Sequence, residues 1–232
     1  MLITVRWDTD MDNAEYQDSS GRTLGDYPRP SVAVDAAVLT VGPDAGLSVL
    51  QVRRAQGRGW ALPGTFLHPG ETLADAVNRA LATKANVHGL RPRQLHVFDD
   101  PKRDDRGWVL SVAHVAVVPL DFVASRFPES TRLVPAHAPG RLVYDHADII
   151  ALAVGDVRTR YETAPDPDHL LGDEFTLRDL RLIHEAVTGH ALQRDTFRRS
   201  MESQLVATGA TVSRGRGRPA ELFRRRDTAG RR

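Results

Sequence analysis

Glu71 stands at the end of a loop rich in proline and glycine, Leu62–Glu71, and a stretch with helical periodicity follows it. Positions 80, 83 and 84 of that stretch are related by i, i+3 and i+4, so they share one face of a helix. Three carboxylates there would form an oxygen site for Mg²⁺, which bridges substrate phosphates and activates water. The chain has Ala80, Thr83 and Lys84 instead, so the first two add no charge and the lysine places a cation where the metal would sit.

The loop and helix resemble the Nudix hydrolase signature, G-x5-E-x7-R-E-U-x-E-E-x-G-U, in which U is a bulky apolar residue. The residues that carry the resemblance are Pro63, Gly64, Pro69, Gly70, Glu71 and Arg79. The three helical glutamates of the signature are replaced, and its last glycine falls at Asn86. The resemblance therefore implies a phosphohydrolase-like fold retired from hydrolysis, with no catalytic residue and no metal.

Two other interpretations of this segment stay open. Carboxylates elsewhere in the chain offer a replacement metal site, and these are Asp75, Asp99, Asp100, Asp104 and Asp105. Alternatively, residues 71–87 form an ordinary amphipathic helix, because their apolar residues recur near helical spacing. That periodicity is present, but it does not explain the loop of prolines and glycines before it.

The composition is ordinary for a soluble protein of one large or two modest domains, with 232 residues, 41% hydrophobic and 26% charged. Cysteine is absent, which excludes disulfides and thiolate metal sites. No apolar run approaches the length of a membrane span, and the N-terminus lacks the pattern of a signal peptide. These features predict a cytoplasmic protein without a membrane partner.

The net charge of +1 conceals an asymmetry along the chain. From His190 onward there are 11 arginines against four acidic residues, a charge of +7, and the remainder has 20 basic and 26 acidic residues, a charge of −6. A basic region on an acidic body indicates a polyanionic partner for that region. The alternative is a solvated arginine tail without structure.

Alternating apolar residues and turn signals predict the elements of the larger part of the chain. The predicted strands are Val32–Val41, Leu47–Arg53, Leu95–Phe98, Trp108–Val118 and Arg141–Tyr144, with at most one more near Leu2–Trp7. Helices are predicted over 71–87 and 146–162, and the first two main strands form a hairpin. Mixed strands with one early and one late helix indicate an α/β/α sandwich.

The C-terminal part has the layout of a winged helix-turn-helix. Thr176 is the predicted N-cap of a helix that ends at Gly189, and a second helix is predicted over Arg194–Ala207, burying Phe197, Met201 and Leu205. Short strands at Ala210–Ser213 and Glu221–Arg224 flank an arginine-glycine tip. The residues predicted to bind DNA bases and phosphates are Arg194, Thr196, Arg198, Arg199, Arg214, Arg216 and Arg218.

A degenerate Nudix signature followed by a winged helix resembles the Nudix-related transcriptional regulators of bacterial NAD metabolism, the NrtR family. The resemblance covers about residues 28–226. Its marks are the two Pro-Gly turns of the loop, residues 29–35, 145–150 and 175–180, and Gly217–Phe223. It implies a homodimeric repressor that binds an inverted-repeat operator in double-stranded DNA near genes of NAD synthesis or salvage, and that ADP-ribose or a related nucleotide releases.

The same resemblance implies an effector pocket that needs no other cofactor. Its residues are Arg53, Arg54, Trp60, Gly64, Phe66, Glu71, Arg79 and Lys84. Arginines suit a diphosphate and aromatic rings suit an adenine face. We expect Arg53 and Arg54 to point to opposite faces of their strand, Arg79 to pair with Glu71, and Lys84 to take over the charge of the metal towards a diphosphate.

These observations divide the chain into an N-terminal extension (1–29), a Nudix-like effector-binding domain (30–163), a linker (164–173), a winged helix DNA-binding domain (174–226) and a tail (227–232). Two functions compete with the repressor. One is an active Nudix hydrolase of nucleoside-diphosphate sugars with a divergent metal site. The other is an RNA-associated module that uses the arginine-glycine segment.

Overall fold

The computed structural model describes residues 16–42, 46–54, 59–213 and 219–226. The strand expected near Leu2–Trp7 and the predicted DNA-binding residues Arg214, Arg216 and Arg218 lie outside these residues. The chain divides into two compact units, Met1–Pro30 and Ser31–Arg232. In the first unit, the Asp18 carboxylate closes a turn by accepting hydrogen bonds from the backbone N–H groups of Ser20 (2.7 Å) and Arg22 (3.0 Å).

A mixed sheet of seven strands forms the centre of the second unit. The strands are β1 (Ser31–Val41), β2 (Leu47–Arg53), β3 (Trp60–Ala61), β4 (Gly64–Phe66), β5 (Arg93–Phe98), β6 (Val109–Val117) and β7 (Thr131–Pro135). Their order is β3-β2-β1-β6-β5, with β4 paired to β1 and β7 paired to β2. β1 and β6 run parallel and the other pairs are antiparallel, which includes the predicted hairpin of β1 and β2.

One helix covers each face of this sheet. On one face, Val34 and Val38 of β1 belong to an apolar cluster with Val77 of α1 (Leu73–Ala85). On the other, Leu39 belongs to a cluster with Ile149 of α2 (His146–Thr163). Because successive residues of a strand face opposite sides, burial on both faces explains why β1 is apolar nearly throughout. The α/β/α sandwich predicted from the sequence is confirmed.

The strand predicted at Arg141–Tyr144 is wrong, because this part of the backbone forms just one bridge, between Leu142 and Trp60. The strands β3, β4 and β7 were missed. β7 lies in a segment interrupted by Pro128, Pro135 and Pro139, a composition typical of a loop. It is nevertheless a strand because its proline falls at the end, where a missing N–H costs little.

The C-terminal part contains β8 (Phe175–Thr176), α3 (Leu177–Thr188), α4 (Arg194–Met201), β9 (Leu205–Val212) and β10 (Ala220–Arg225). The Thr176 hydroxyl accepts a hydrogen bond from the Asp179 N–H (3.1 Å), and Gly189 ends α3 with a positive φ of 80°, both as predicted. The three strands pair in the order β8-β10-β9. The winged helix-turn-helix prediction is confirmed.

The helix predicted over Arg194–Ala207 is too long. In the structure α4 ends at Met201, a turn of 3-10 helix follows over Glu202–Gln204, and Leu205 begins β9. Phe197, Met201 and Leu205 are all buried in one cluster, so their burial was predicted correctly although the element was not. Apolar residues spaced four apart were correctly predicted to be buried. The spacing did not show that Leu205 lies in a strand, where it pairs with Arg225 of β10.

The junction between the two modules is packed, and Asp166 is its centre. This residue is 0% exposed and has a positive φ of 46°. Its carboxylate accepts hydrogen bonds from the Tyr161 hydroxyl (3.0 Å) and from the N–H groups of Leu170 (2.9 Å) and Leu171 (2.8 Å), and it pairs with the Arg225 guanidinium. It therefore joins the end of α2 to the last strand of the winged helix.

His184 of α3 completes this junction. It is 1% exposed, and its ring meets those of Tyr161 (4.9 Å between centroids) and Phe197 (5.0 Å). Its Nε2 accepts a hydrogen bond from the Asp166 N–H (3.1 Å), which requires that Nε2 carries no proton. Residues from α2, α3 and α4 thus share one packed contact.

Among the described helices, none is long and apolar enough to cross a membrane.

Replacing Asp166 with alanine should destabilise the protein strongly. The Arg225 side chain is 14% exposed and would lose its carboxylate. Removal of one partner of a buried ion pair costs about 3–5 kcal/mol, so we expect a clear fall in the urea midpoint of unfolding. Asp173→Ala, an exposed position in the same segment, is the matched control and should change the free energy of unfolding by less than about 0.5 kcal/mol. Equal effects of the two substitutions would contradict the role assigned to Asp166.

Stability should also depend on pH through His184. Burial disfavours the charged ring and lowers the pKa of His184 from 6.5 to about 4. The unfolded chain therefore binds more protons between these values, and stability falls as pH drops from 6.5 to 4, by up to about 3 kcal/mol. Urea unfolding across this range measures the fall. His184→Gln keeps an acceptor but does not titrate, so an unchanged pH slope in that variant would show that another group is responsible.

Candidate functional site

Arg79 of α1 holds the loop of the Nudix-like segment in place. Its Nε and Nη2 donate to the two carboxylate oxygens of Glu71 (2.7 and 2.8 Å), its Nη1 to the Thr65 hydroxyl (3.2 Å), and its Nη2 to the Phe66 carbonyl (2.9 Å). The hydrogen bonds from Arg79 lower the pKa of Glu71 to about 2. Arg79 thus pairs with Glu71, as expected, and acts as a positioning residue.

The residues at the metal positions do not fit a divalent cation. Ala80 is buried and has no donor atom, and the Thr83 hydroxyl donates to the Arg79 carbonyl (2.7 Å). The Lys84 ammonium donates to the Gly64 carbonyl, so a positive charge already occupies this side of the loop. Both oxygens of Glu71 are bound by Arg79. The donor set is therefore unsuited to Mg²⁺.

Three of the five aspartates considered as replacement ligands have other partners. Asp75 forms a capping box with Thr72 at the start of α1, Asp100 accepts from the Lys102 N–H (2.8 Å), and Asp104 pairs with Arg106 (2.6 Å). Within the described parts of the chain, no group of three or more histidine or acidic side chains is arranged to hold a metal ion.

A buried charge network lies directly behind Gly64. Asp35 of β1 accepts a hydrogen bond from the Ser111 hydroxyl (2.6 Å) and lies 3.3 Å from His146 Nε2 and 3.8 Å from Arg103. Burial by itself would raise the pKa of Asp35, but His146, Ser111 and Arg103 together lower it. The His146 Nδ1 accepts from the Leu62 N–H (2.9 Å), which leaves Nε2 as the protonated nitrogen facing Asp35.

The start of α2 belongs to the same network. Arg103 makes two hydrogen bonds to Asp145 (2.6 and 2.5 Å), the residue before α2, and His146 is the first residue of the helix. Asp35, Asp145 and His146 were noticed in the sequence as marks of the family, but no role was predicted for them. Their separation of more than a hundred residues hides this contact from any local pattern.

Aromatic rings and arginines form the open side of the site. Arg106 lies over the rings of Phe66 (5.0 Å) and Tyr144 (4.9 Å), and Arg54 also lies over Tyr144 (5.9 Å). Phe66 is 37% exposed, and Tyr144 has a positive φ of 52°, an uncommon conformation for a bulky residue. Predicted residues Arg54 and Phe66 are thus linked through Arg106 and Tyr144, which the sequence interpretation missed.

Arg53 and Trp60 form a separate group. They are opposite each other in β2 and β3, and the Arg53 guanidinium lies 5.5 Å from the Trp60 ring centre. Arg132 lies 4.3 Å from the same ring and donates two hydrogen bonds to the buried Gln51 (2.9 and 2.8 Å). Since residues 51 and 53 face the same side of β2 as Leu47 and Val49, this group lies on the α2 side of the sheet.

The second surface with a clear chemistry is the exposed face of α4. The four predicted residues described by the structure, Arg194, Thr196, Arg198 and Arg199, are all exposed. Arg194 and Arg198 line a groove of about 990 Å³ between α3, α4 and the paired strands β9 and β10. Arg178 and Arg181 of α3 line it too, and neither was predicted. Of these four arginines, Arg181 pairs with Glu185 and Arg198 with Glu202, and Glu221 also lines the groove. Arginines on an open groove suit a nucleic-acid backbone.

Two family models match the chain: the NUDIX domain over residues 30–152 and the NrtR DNA-binding winged helix domain over residues 167–225. The ADPR responsive transcriptional repressor NtrR of Acinetobacter baylyi is 30% identical over 222 residues, which cover 91% of this chain and 86% of that protein. The chain belongs to the NrtR family. The resemblance found in the sequence is thereby confirmed.

Solved structures of an NrtR protein also match this chain. The crystal structure of Shewanella oneidensis NrtR complexed with a 27mer DNA matches with a TM-score of 0.70 and 30% identity, covering 84% of this chain and 93% of that one. The Nudix domain of that NrtR complexed with ADP ribose matches with a TM-score of 0.51 and 26% identity, covering 60% and 95%. An ADP-ribose pyrophosphatase of Methanocaldococcus jannaschii is 28% identical over 128 residues, 53% of this chain and 73% of that protein.

The close approach of Gly64 to Asp35 yields a prediction for this NrtR. A Cβ added at Gly64 would come within 1.9 Å of the Asp35 Oδ1 and 2.7 Å of the Val34 carbonyl oxygen. Gly64→Ala should therefore lower the free energy of unfolding by about 1–3 kcal/mol. Gly155→Ala, in α2 with open space around it, is the control and should be neutral or slightly stabilising. Thermal unfolding compares them, and a harmless Gly64→Ala would disprove the crowding.

Proposed function

We propose that this protein is a DNA-binding transcriptional repressor of genes for NAD biosynthesis or salvage, and that its Nudix domain senses ADP-ribose or a related NAD-derived nucleotide. The observation that carries the proposal is that one chain combines a Nudix-type site without metal ligands and a winged helix with an exposed arginine face. Relatives solved with DNA and with ADP-ribose support both halves. The effector domain is proposed to span 30–163 and the DNA-binding domain 174–226.

The site offers the groups that a dinucleotide-like effector needs. Arg54, Arg106 and Lys84 provide positive charge for a diphosphate, while Phe66 and Tyr144 provide aromatic faces for a base. Arg79 and Glu71 keep the loop in position beneath them. Arg53 and Trp60 belong to the separate group on the α2 side of the sheet, so we leave both outside the proposed contacts with the effector.

The effector signal is proposed to travel along α2. This helix is about 27 Å long from its 18 residues, begins in the site with His146 and ends at the junction with Tyr161. In the proposed homodimer, ADP-ribose favours a placement of the two winged helices that does not match the spacing of the operator half-sites. The free energy of DNA binding is then weakened by at most the difference between the free energies with which the two placements bind ADP-ribose.

We further propose that the chain does not hydrolyse its effector. Hydrolysis by a divergent metal site is the second candidate, since an ADP-ribose pyrophosphatase is among the relatives. The arrangement of Glu71, Thr83 and Lys84 weighs against it, because none of them is available as a metal ligand. A sensor that leaves its signal intact reports the concentration of that signal faithfully.

The first test is selection of binding sites from a random duplex library, followed by fluorescence anisotropy on the enriched duplex with and without ADP-ribose. We expect an inverted repeat that is bound at least a hundredfold more tightly than random DNA, and release by ADP-ribose. Enrichment without release would refute the effector. No enrichment, or equal binding of single strands, would refute the repressor, and a hydrolysis assay with Mg²⁺ or Mn²⁺ then examines the second candidate.

The contribution of α4 is tested by Arg194→Ala. If Arg194 contacts a phosphate, its loss weakens binding to all duplexes alike and reduces the slope of log K against log salt by about 1. Arg91→Ala removes an exposed arginine from the Nudix-like domain and is the matched control, for which the slope should stay unchanged. An identical slope for both variants would remove Arg194 from the DNA interface.

A further inference from the structure

We infer that Lys84 replaces the metal ion of the Nudix site, so that this chain binds the diphosphate of its effector through a fixed ammonium group and without a divalent cation. The inference rests on the proposed function, because it concerns how the effector is held. Lys84 stands where the Nudix signature has a glutamate, and this difference gives the site a cation that can bind the effector.

The position of Lys84 is set by its helix and its neighbours. It lies one turn after Ala80 on α1, and Ala80 is 1% exposed beneath the loop. The Lys84 ammonium donates to the carbonyl of Gly64, the first residue of β4. This bond uses one of its three N–H groups, which leaves two for phosphate oxygens.

Among the cations of the site, Lys84 and Arg54 are the two that form no ion pair with a described residue. Arg79 is paired with Glu71, Arg106 with Asp104, and Arg103 with Asp145. Lys84 takes part in no ion pair with any residue that the structure describes. The buried Asp35 carboxylate behind Gly64 balances the charge of Lys84. The guanidinium of Arg54, which lies over Tyr144, adds the positive charge that favours a diphosphate at this loop.

The groups around Lys84 hold its ammonium in place and shift its pKa. Gly64 meets Lys84 through its carbonyl and approaches Asp35 at its Cα, so the buried carboxylate lies behind the lysine. Desolvation lowers the pKa of Lys84, Asp35 acts in the opposite direction, and the nearby Arg106 and Arg79 lower it further. A bound diphosphate would add its negative charge to that of Asp35 at the ammonium of Lys84. A divalent cation, in contrast, would be repelled by Lys84, Arg106 and Arg79.

The deciding measurement is calorimetric titration of the full-length protein with ADP-ribose, in EDTA and in Mg²⁺. We expect the dissociation constants to agree within twofold. Lys84→Met, which keeps the apolar stem, should weaken binding at least tenfold, and Lys84→Arg should restore part of it. Lys102→Ala changes the one other lysine of the chain, which is exposed, and should bind like the original protein.

The outcomes separate this inference from the proposed function. Binding that requires Mg²⁺, or full affinity in Lys84→Met, would overturn the role of Lys84 and leave the ADP-ribose sensor intact. No binding under either condition would overturn the sensor itself, and with it this inference. Specific duplex binding by Lys84→Met with an unchanged thermal midpoint shows that a loss of affinity does not come from misfolding.

A second readout does not depend on substitution. With ¹³Cε-labelled lysine the chain gives two lysine signals, from Lys84 and Lys102. We expect ADP-ribose to shift the Lys84 signal in the presence of EDTA and to raise its apparent pKa, while Lys102 stays unchanged. A shift of neither signal at saturating ADP-ribose would contradict contact between Lys84 and the diphosphate.

Discussion

The burial of two carboxylates, one at each end of α2, is the constraint on which the rest of the structure depends. A buried carboxylate is destabilising, on the order of several kcal/mol, unless charges and hydrogen bonds compensate it. Asp35 has Ser111, His146 and Arg103 as partners, and Asp166 has Tyr161, two backbone N–H groups and Arg225. These partners come from strands, loops and helices of both modules. The elements must therefore be correctly placed before either charge is tolerated.

The Nudix-like site has the loop of the hydrolase signature and different side chains on the helix that follows it. The Glu71 and Arg79 pair shapes the loop, and the Arg79 guanidinium occupies both carboxylate oxygens of Glu71. Lys84 brings a positive charge to the place where the signature has carboxylates, which reverses the electrostatic preference from cations to anions.

Local patterns in the sequence predicted the elements whose stability is local. The Thr176 cap, the Gly189 terminus, β1 with β2 and the pairing of Arg79 with Glu71 each follow from neighbouring residues. The contacts of Arg106, Tyr144 and Arg132 with distant residues could not be predicted, because they exist only after the sheet brings separate loops together. The end of α4 and the strand β7 were misjudged for a related reason: sheet pairing overrode a helical spacing in one case and a proline-rich composition in the other.

The end of α2 also limits how the two modules can be exchanged in evolution or in engineering. Tyr161 of α2 and His184 of α3 pack together, so one side of the winged helix is covered by the end of the Nudix-like domain. A chimaera joined within residues 164–173 would lack α2 and would expose the apolar side of α3. The transferable unit therefore begins before α2, and a graft of this DNA-binding module onto another sensor must bring the whole helix with it.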